Sequence, residues 1–387
     1  MSDYDPIAAA GGIVARLAAT SASSEVLRKV DGDAIAAMRE AGLARLLTPK
    51  RFGGYELPPS AHIRTCTIAA HGCSAAAWVH MVCGAHTFVL GRYPERCQQE
   101  VFGDTPDVLI PGTLAPQGIV RRVDGGWLLN GRWQFGSGVD HGPWLLIGAK
   151  GSEDASGKKS PATHVVVPTD AVAVVDTWHT LGMRGTGSKD IVAEDVFVPE
   201  HRAMPTMPLF MGTFEGEAGP LYRLPVMAGL ASMLAAAVLG MAEAGLQGFV
   251  EATRVRSDVY FGGSKAAKST NQVRIGEAGG ELDLARMLID RNCDLLDDAM
   301  AREEAPVSLD IRVKLRWNAA YAIELCRRAT ERIYAVAGAH AIYNDSPLQR
   351  LHRDINTACH HAIADFDGMA EARGKFHLDL RDGLGLL

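Results

Sequence analysis

No Cys-x-x-Cys pair occurs in this chain; its seven cysteines stand apart at positions 66, 73, 83, 97, 293, 326 and 359. That scatter fits neither a disulfide framework nor a zinc site, so reduced thiols and no metal are expected. No Gly-x-Gly-x-x-Gly follows a strand-like run and opens a helix, which leaves a nicotinamide dinucleotide without its usual phosphate turn. Basic excess is missing too. Lys and Arg number 39 against 45 Asp and Glu, a formal net charge of −6, so nucleic acid has no electrostatic footprint to meet. The longest apolar stretch, Val226 to Met241, is interrupted by Gly229, Ser232 and Gly240 and is short for a bilayer, so a buried helix and no membrane contact are expected. The opening Met1-Ser-Asp-Tyr-Asp-Pro lacks the basic start and apolar core of a secretory signal, and a cytoplasmic location is the expectation.

What the chain has is length and apolar content. Its 387 residues are 47% hydrophobic and 22% charged, enough for more than one core-sized unit with a hydrated surface. Residues 8–46 carry helical periodicity, and Val26, Val30, Ile35, Met38 and Leu43 predict two amphipathic helices joined near Gly32. Pro58-Pro59 precede a helix over 60–72, and a second, rich in Ala and Gly, covers 74–90. From about 106 the rhythm changes to short runs at 108–110, 118–123, 127–135, 144–149, 163–167 and 171–177, the signature of a β-sandwich or barrel. The polar tract 151–160 is expected at a hairpin tip, and 199–220, loaded with Pro, Met and Gly, reads as a linker beside a pocket. Residues 221–378 return to helical patterning in four segments, 222–256, 271–302, 308–338 and 347–376, with a flexible connection over 254–270. Four long helices with short connections suggest a bundle. The expected organisation is mainly α with a central β-domain: an N-terminal helical domain (1–105), a β-sandwich domain (106–205) and a C-terminal four-helix bundle (206–387).

One stretch stands out, Trp127-Leu-Leu-Asn-Gly-Arg-Trp-Gln-Phe-Gly-Ser-Gly-Val-Asp-His-Gly-Pro-Trp144. Asn130-Gly131 reads as a tight hairpin turn between two strand-like runs. Trp133 and Phe135 stand at period 2 and are expected to share one face. Gly136 and Gly138 flank Ser137 and let backbone and a small hydroxyl approach something flat. Read locally, this is either a hairpin with two core aromatics or a seat for a planar ring with hydrogen-bonding edges, such as an isoalloxazine.

The segment Gly-Arg-Trp-Gln-Phe-Gly-Ser-Gly-Val-Asp-His-Gly-Pro-Trp resembles the signature of two-component flavin-dependent monooxygenases built on the acyl-CoA dehydrogenase fold, the hydroxylases of p-hydroxyphenylacetate, secosteroid phenols and indoles. Ala115 to Trp127, Leu181-Gly-Met-Arg-Gly-Thr-Gly-Ser188 and Glu194-Asp-Val-Phe-Val-Pro199 carry the same likeness. The resemblance implies an oxygenase component using diffusible reduced FMN or FAD with O2, through a C4a-hydroperoxyflavin, to hydroxylate a small phenol, indole or polyketide-like ring. It also implies an NAD(P)H:flavin reductase as partner and a homotetramer. The alternatives are an acyl-CoA dehydrogenase with tightly bound FAD, or an N- or S-oxygenase on the same fold. Trp133, Phe135, Ser137, Gly182, Arg184 and Ser188 are implied as flavin contacts, with Leu181 and Met183 drying the ring. Arg256 and Gln272 resemble, more weakly, positions that reach a neighbouring subunit's cofactor. His80 and His86 are the candidates for orienting substrate.

Near the C-terminus, Leu351, Ile355, Ala358, Ala362 and Phe366 predict the buried stripe of one continuous helix. On such a helix His361 falls about 80° to one side of the stripe, on the flank of Asp354, and His360 roughly opposite. In acyl-CoA dehydrogenases a similar Arg-Asp segment leads to a Glu-Gly-Thr motif carrying the catalytic carboxylate. Here Arg353-Asp354 leads instead to His360-His361-Ala362. The resemblance therefore implies His361 as a base toward the substrate and Ser137 at the flavin, with Glu251 and Glu277 as the carboxylates that could replace the missing one.

Overall fold

The computed structural model describes residues 4–153, 159–258 and 262–385. Three short helices open the chain, α1 (Pro6–Ala19), α2 (Ser21–Leu27) and α3 (Gly32–Glu40). Two were expected. The junction expected near Gly32 is present, with Arg28 turning left-handed at φ 53° and Asp31 restarting the helix by accepting from Asp33 N–H, and the extra break falls at Thr20, between α1 and α2. Val30, Ile35, Met38 and Leu43 are buried as the periodicity requires, but Val26 is 83% exposed because α2 ends one residue later. Then come α4 (Pro59–Gly72), α5 (Ser74–Leu90) and α6 (Glu95–Phe102).

Seven strands follow: β1 (Gly112–Val123), β2 (Gly126–Gly136), β3 (Trp144–Gly151), β4 (Thr163–Pro168), β5 (Ala173–Val175), β6 (Lys189–Pro199) and β7 (Ala203–Pro205). They form one sheet in the order β5-β6-β2-β1-β3-β4-β7, with β1 and β3 parallel and every other pair antiparallel. The sheet curls: β4 and β6 are not neighbours in it, yet they touch across its inner side. Val120, Leu129, Trp133, Leu145, Ile147, Val165, Val167, Ile191 and Val198 fill that interior as a core of their own. Val108 to Ile110, expected as a strand, is a buried segment with no ladder partner. Of the expected hairpin tip, residues 154–158 lie outside the described residues, as do 259–261 of the expected flexible connection.

Asn130-Gly131 is not a turn. β2 runs straight through it, pairing with β1 on one side and β6 on the other, and the β1–β2 turn is Asp124-Gly125, with Gly125 at φ 73°. Asn130 instead braces a bulge in β6: its side chain exchanges two hydrogen bonds with Asp195, at 2.9 and 2.8 Å, and Asp195 sits at φ 48°. Gly131 is needed because a Cβ there would stand 2.6 Å from the Gly118 Cα. The turn signal was read where a bulge was needed, since both features favour Gly at positive φ.

After a short helix α7 (Thr206–Met211), the chain forms α8 (Val226–Val255), α9 (Ser269–Ala301), α10 (Leu309–Val336), α11 (Pro347–Ala358) and α12 (Phe366–His377). The predicted stretch 347–376 is thus two helices. At 30 residues α8 is long and apolar enough to cross a membrane, longer than its apolar run suggested, but 89% of its most apolar window is buried inside the fold. It is the central rod on which α4, α5, α9, α10 and α11 all pack, so the early helices and the late ones share one core. The closest approach is at Gly240, where a Cβ would lie 2.1 Å from the Thr67 carbonyl oxygen, beside a hydrogen bond from Thr67 Oγ1 to the Ala236 carbonyl at 3.0 Å. Gly240→Ala is therefore expected to push α4 off α8 and cost about 1–3 kcal/mol. The urea midpoint of the variant checks this; an unchanged midpoint would show that the two helices can separate freely.

Candidate functional site

The site forms where β2 ends. Register with β6 shifts between Trp133 and Gly136, and Phe135 takes the left-handed region at φ 68°. A residue in that conformation reverses the alternation, so Trp133 and Phe135 do not share a face. Trp133 is fully buried in the sheet core and donates its Nε1–H to the Gly148 carbonyl at 2.6 Å. As a flavin contact it is withdrawn: the bulge sends it inward. Phe135 stays 58% exposed, edge-on to Trp178 with ring centroids 6.1 Å apart. The next residues tighten further. Ser137 N–H donates to the Phe135 carbonyl at 2.8 Å, and Gly138, at φ 75°, lies so close to Val79 on α5 that a Cβ would come within 2.8 Å of it.

Ser137 heads a chain of buried hydroxyls whose direction follows from its last acceptor. Thr186 Oγ1 donates to the Met183 carbonyl at 2.9 Å, so its only proton is committed. Ser188, 2.7 Å away, must then donate to Thr186, and Ser137, 2.8 Å from Ser188, must donate to Ser188. At the other end Trp78 Nε1–H donates to Ser137 Oγ at 3.2 Å. Ser137 is left with one free lone pair and no free proton. It is an acceptor.

The loop 181–188 is held against α11 by two adjacent side chains. Asp354 Oδ1 accepts from Met183 N–H at 2.6 Å, and Arg353 donates to the Leu181 carbonyl at 2.6 Å. Gly182 between them has no room for a Cβ, which would stand 2.2 Å from the Arg353 carbonyl oxygen. Arg353 also reaches Glu25 on α2 at 2.6 Å. Asp354 is buried, and desolvation pushes its carboxyl up to about 6 despite hydrogen bonds from Met183 N–H and Ser74. Within the loop Leu181 is 68% exposed whereas Met183, at φ 54°, is buried. Arg184 is half-exposed, donating to the Thr180 carbonyl at 2.8 Å and lying 3.7 Å from Glu25.

His361 sits in the break between α11 and α12, so the helical-wheel argument that selected it does not apply. The helix stops at Ala358, and Ala362, expected in the buried stripe, is exposed. The imidazole caps the following turn: Ile363 N–H donates to its Nδ1 at 3.2 Å. Its ring meets Trp78 edge-on, centroids 5.8 Å apart. The ring is exposed on one side, with Trp78 on α5 and the Arg316 guanidinium on α10 close by. Burial and then the nearby Arg316 charge push it down to about 4. With Nδ1 accepting, the neutral ring carries its proton on Nε2 and presents a donor to the cleft.

Other expected residues lie elsewhere. His80 and His86 are 2% and 3% exposed, sealed in helix packing: His80 Nε2 contacts Thr65 Oγ1 at 3.0 Å, and His86 Nδ1 bonds the Ile110 carbonyl at 2.8 Å. Helix α5 turns its Trp78 to the cleft and these two away. His80 instead belongs to a core group with His62 and Cys66, whose potential ligand atoms lie within 4.8 Å of one another; the search for Cys pairs missed this His-x-x-x-Cys spacing. Arg256 lines a separate cavity of about 130 Å³ with Lys265, Asn271 and Phe249, and the exposed Gln272 lies near it, donating to the Ala266 carbonyl. Glu251 and Glu277 are exposed, Glu251 accepting from Gln247 and Glu277 paired with Arg274 and Arg332. Neither supplies a carboxylate to the cleft. Trp78 and Arg316 were not selected from the sequence as site residues, whereas Thr186, a candidate in the 181–188 loop, joins the buried hydroxyl chain.

Residues 232–366 match the model of the acyl-CoA dehydrogenase C-terminal domain. The chain is similar to the flavin-dependent monooxygenase oxygenase subunit HsaA of Rhodococcus jostii, 31% identical over 366 residues, 93% of this chain and 95% of the relative. It is 30% identical over 382 residues to the FADH(2)-dependent resorcinol hydroxylase oxygenase component of a Rhizobium species, covering 95% and 93%. Among solved structures, XiaF from a Streptomyces species, in complex with FADH2 and glycerol, superposes with a TM-score of 0.91 at 28% identity, covering 97% and 95%.

Asp354 and His361 give the fold opposite responses to acid. A raised carboxyl binds its proton more readily folded than unfolded, so from pH 7 down to 4 wild type should gain up to about 3 kcal/mol relative to Asp354→Asn. A depressed histidine does the reverse, so over the same interval wild type should lose stability relative to His361→Gln. Urea titrations of the three proteins across that range check both signs; parallel curves would remove the burial argument for both groups.

Proposed function

The chain belongs to the oxygenase subunits of the flavin-dependent monooxygenases, and on that premise we propose that it hydroxylates a small aromatic ring held between Ser137 and His361. The name of oxygenase component or subunit shared by its relatives implies a separate reductase that supplies reduced flavin. Bound reduced flavin supplies the chemistry of O2 activation and of oxygen transfer. The residues fit such a group. Phe135 and Leu181 are more than half exposed and, with the partly buried Trp178, leave apolar surface at the β2 end of the site, the kind of patch a flat ring covers.

Ser137 is the residue we assign to the ring edge. Its proton is fixed on Ser188, so it accepts from a ring N–H, a group that reduced flavin presents at N5. Gly182, Arg184 and Ser188 hold the loop beside it, with the half-exposed Arg184 available to the phosphate of the cofactor. The roles of Arg256 and Gln272 toward a neighbouring subunit belong with a homotetramer, a reading supported by Val273, Leu284 and Met287, which α9 leaves more than half exposed. A cytoplasmic location fits the unpaired cysteines.

His361 is revised from base to donor. Its Nδ1 is occupied, so an Nε2–H faces the cleft and binds a phenolic oxygen best when that oxygen is ionised. An ionised phenol is the more electron-rich ring and the better partner for an electrophilic oxygen. The observation that carries this reading is the contact Trp78 makes with both Ser137 and His361, which ties the two ends of the cleft to one indole.

The test is a single turnover: photoreduced FMN or FAD, ¹⁸O2 and a panel of phenols and indoles, with product and H2O2 measured together. Label in the product is expected; H2O2 alone across the panel, with either flavin, would reject the hydroxylase reading. Ser137→Ala should raise the ratio of H2O2 to product about tenfold, the worth of one hydrogen bond to a charged or polar ring. His361→Gln should lower product yield while leaving reduced-flavin binding unchanged.

A further inference from the structure

We propose that Arg316 is the anion-binding subsite of this cleft, and that the substrate carries an anionic oxygen, a carboxylate or an ionised phenol, which it receives. The proposal rests on the monooxygenase reading for the substrate's aromatic ring alone; the subsite itself follows from the unmatched charge. Arg316 stands on α10 and is 5% exposed. Its Nε has no hydrogen-bond partner, and the contact its guanidinium does make is Nη2 to the Met369 thioether on α12, at 3.4 Å. Among the described residues no carboxylate lies within ion-pair distance; Asp365 is near enough to favour the charge, but its carboxylate caps α12 by accepting from Gly368 N–H.

Arg92, equally buried, shows what a structural arginine looks like in this fold. Its Nε is likewise without a partner, but both of its terminal nitrogens donate to backbone carbonyls, those of Leu209 and Leu224, at 2.7 Å each. Among the described residues no backbone carbonyl accepts from Arg316. A guanidinium cannot shed its charge as a lysine can, and a buried, unmatched cation costs several kcal/mol. Burial accordingly lowers its pKa to about 10. A guest that brings the anion removes that cost on binding.

The position suits the substrate and not a remote ion. Arg316 is close enough to His361 to depress its basicity, so the two donors are neighbours. Trp317, Tyr321 and Phe366 form an aromatic wall next to it, with ring centroids 5.3 to 5.9 Å apart. An aromatic ring with an anionic oxygen matches such a wall ending in a cation.

Binding to the purified protein without flavin tests this, read by tryptophan fluorescence. The probes are 4-hydroxybenzoate, 4-hydroxyphenylacetate and 3-(4-hydroxyphenyl)propionate, each against its uncharged amide, together with 4-nitrophenol, whose ionisation is visible. If Arg316 takes a carboxylate, at least one acid should bind tenfold or more tighter than its amide, the worth of a charge-assisted hydrogen bond. Arg316→Met should erase that preference and Arg316→Lys keep part of it. If it takes a phenolate, bound 4-nitrophenol should ionise at lower pH in wild type than in Arg316→Met. Acids and amides binding alike in wild type, with no displacement of the nitrophenol titration, would overturn the subsite even if the variants failed to fold. Reduced-flavin binding, measured separately, should be the same in wild type and Arg316→Met. An acid preference in a protein that oxygenates none of the panel would keep the subsite and reject the hydroxylase reading.

Discussion

Everything around Ser137 depends on the grip that one turn of α11 has on the loop 181–183. Asp354 takes the N–H of Met183, Arg353 takes the carbonyl of Leu181, and the residue between them is a glycine pressed against the Arg353 carbonyl. Met183 is thereby held left-handed, which costs an ordinary residue roughly 1–2 kcal/mol. That cost persists only where neighbours over-determine the conformation. Here they do: the Met183 carbonyl accepts from both Trp178 Nε1–H and Thr186 Oγ1, and Thr186 anchors the hydroxyl chain that ends on Ser137. A carboxylate on the last part of the chain therefore sets the polarity of a serine in the sheet. Arg353 extends the junction to α2 through Glu25, and Arg28 joins α2 to the sheet through Asp176 at 2.6 Å. Early helices, sheet and late helices are clamped at one place.

The broad fold was legible because its long elements repeat one signal many times. The segments now seen as α4, α5, α8, α9 and α10 were predicted within a few residues, since each carries several turns of apolar periodicity. The failures fall where one residue decides. Thr20 breaks a helix without a glycine, and Asn130-Gly131 reads identically as a turn or a bulge until its partners on both sides are known. The stop at Ala358 has no proline or glycine to mark it. The sequence 347–376 reads as one helix; the chain turns there because the segment must pass Trp78 on α5 and Arg316 on α10, and neither neighbour is visible from the local pattern.

The site was legible in part for the same reason. Ser137, Gly182, Arg184, Ser188 and His361 come together, but Trp133 and Phe135 part company because a left-handed residue inverts the period-2 rule. His80 and His86 were chosen as chemically capable residues on the right helix, and it is Trp78, an apparently ordinary core residue, that faces the cleft. Arg316 sits in an amphipathic helix among other arginines, where sequence cannot distinguish a solvated charge from a buried one. His361 was selected through family likeness and through a helix that does not exist. What survives of that argument is the residue; its protonation state follows from Ile363 N–H, a backbone contact no motif encodes.

The electrostatics of the cleft follow from dryness more than from pairing. Burial raises Asp354, depresses His361 and depresses Arg316, in each case toward the uncharged form. His361 complies at neutral pH and is uncharged, whereas Asp354, at about 6, stays mostly ionised with the help of its two hydrogen bonds. Arg316 cannot comply, because a guanidinium with its pKa at about 10 remains protonated. The site therefore brings together a buried guanidinium with no carboxylate partner among the described residues, a neutral imidazole beside it, and an acceptor-only serine across the Trp78 indole. In such a site each of these groups acts more strongly on a guest than it would in water. An aromatic anion between them meets donors at its ionised end. On the proposed reading the flavin would meet the acceptor, Ser137. The two ends differ in kind, and that difference gives the cleft a direction in which a ring can be presented for oxidation.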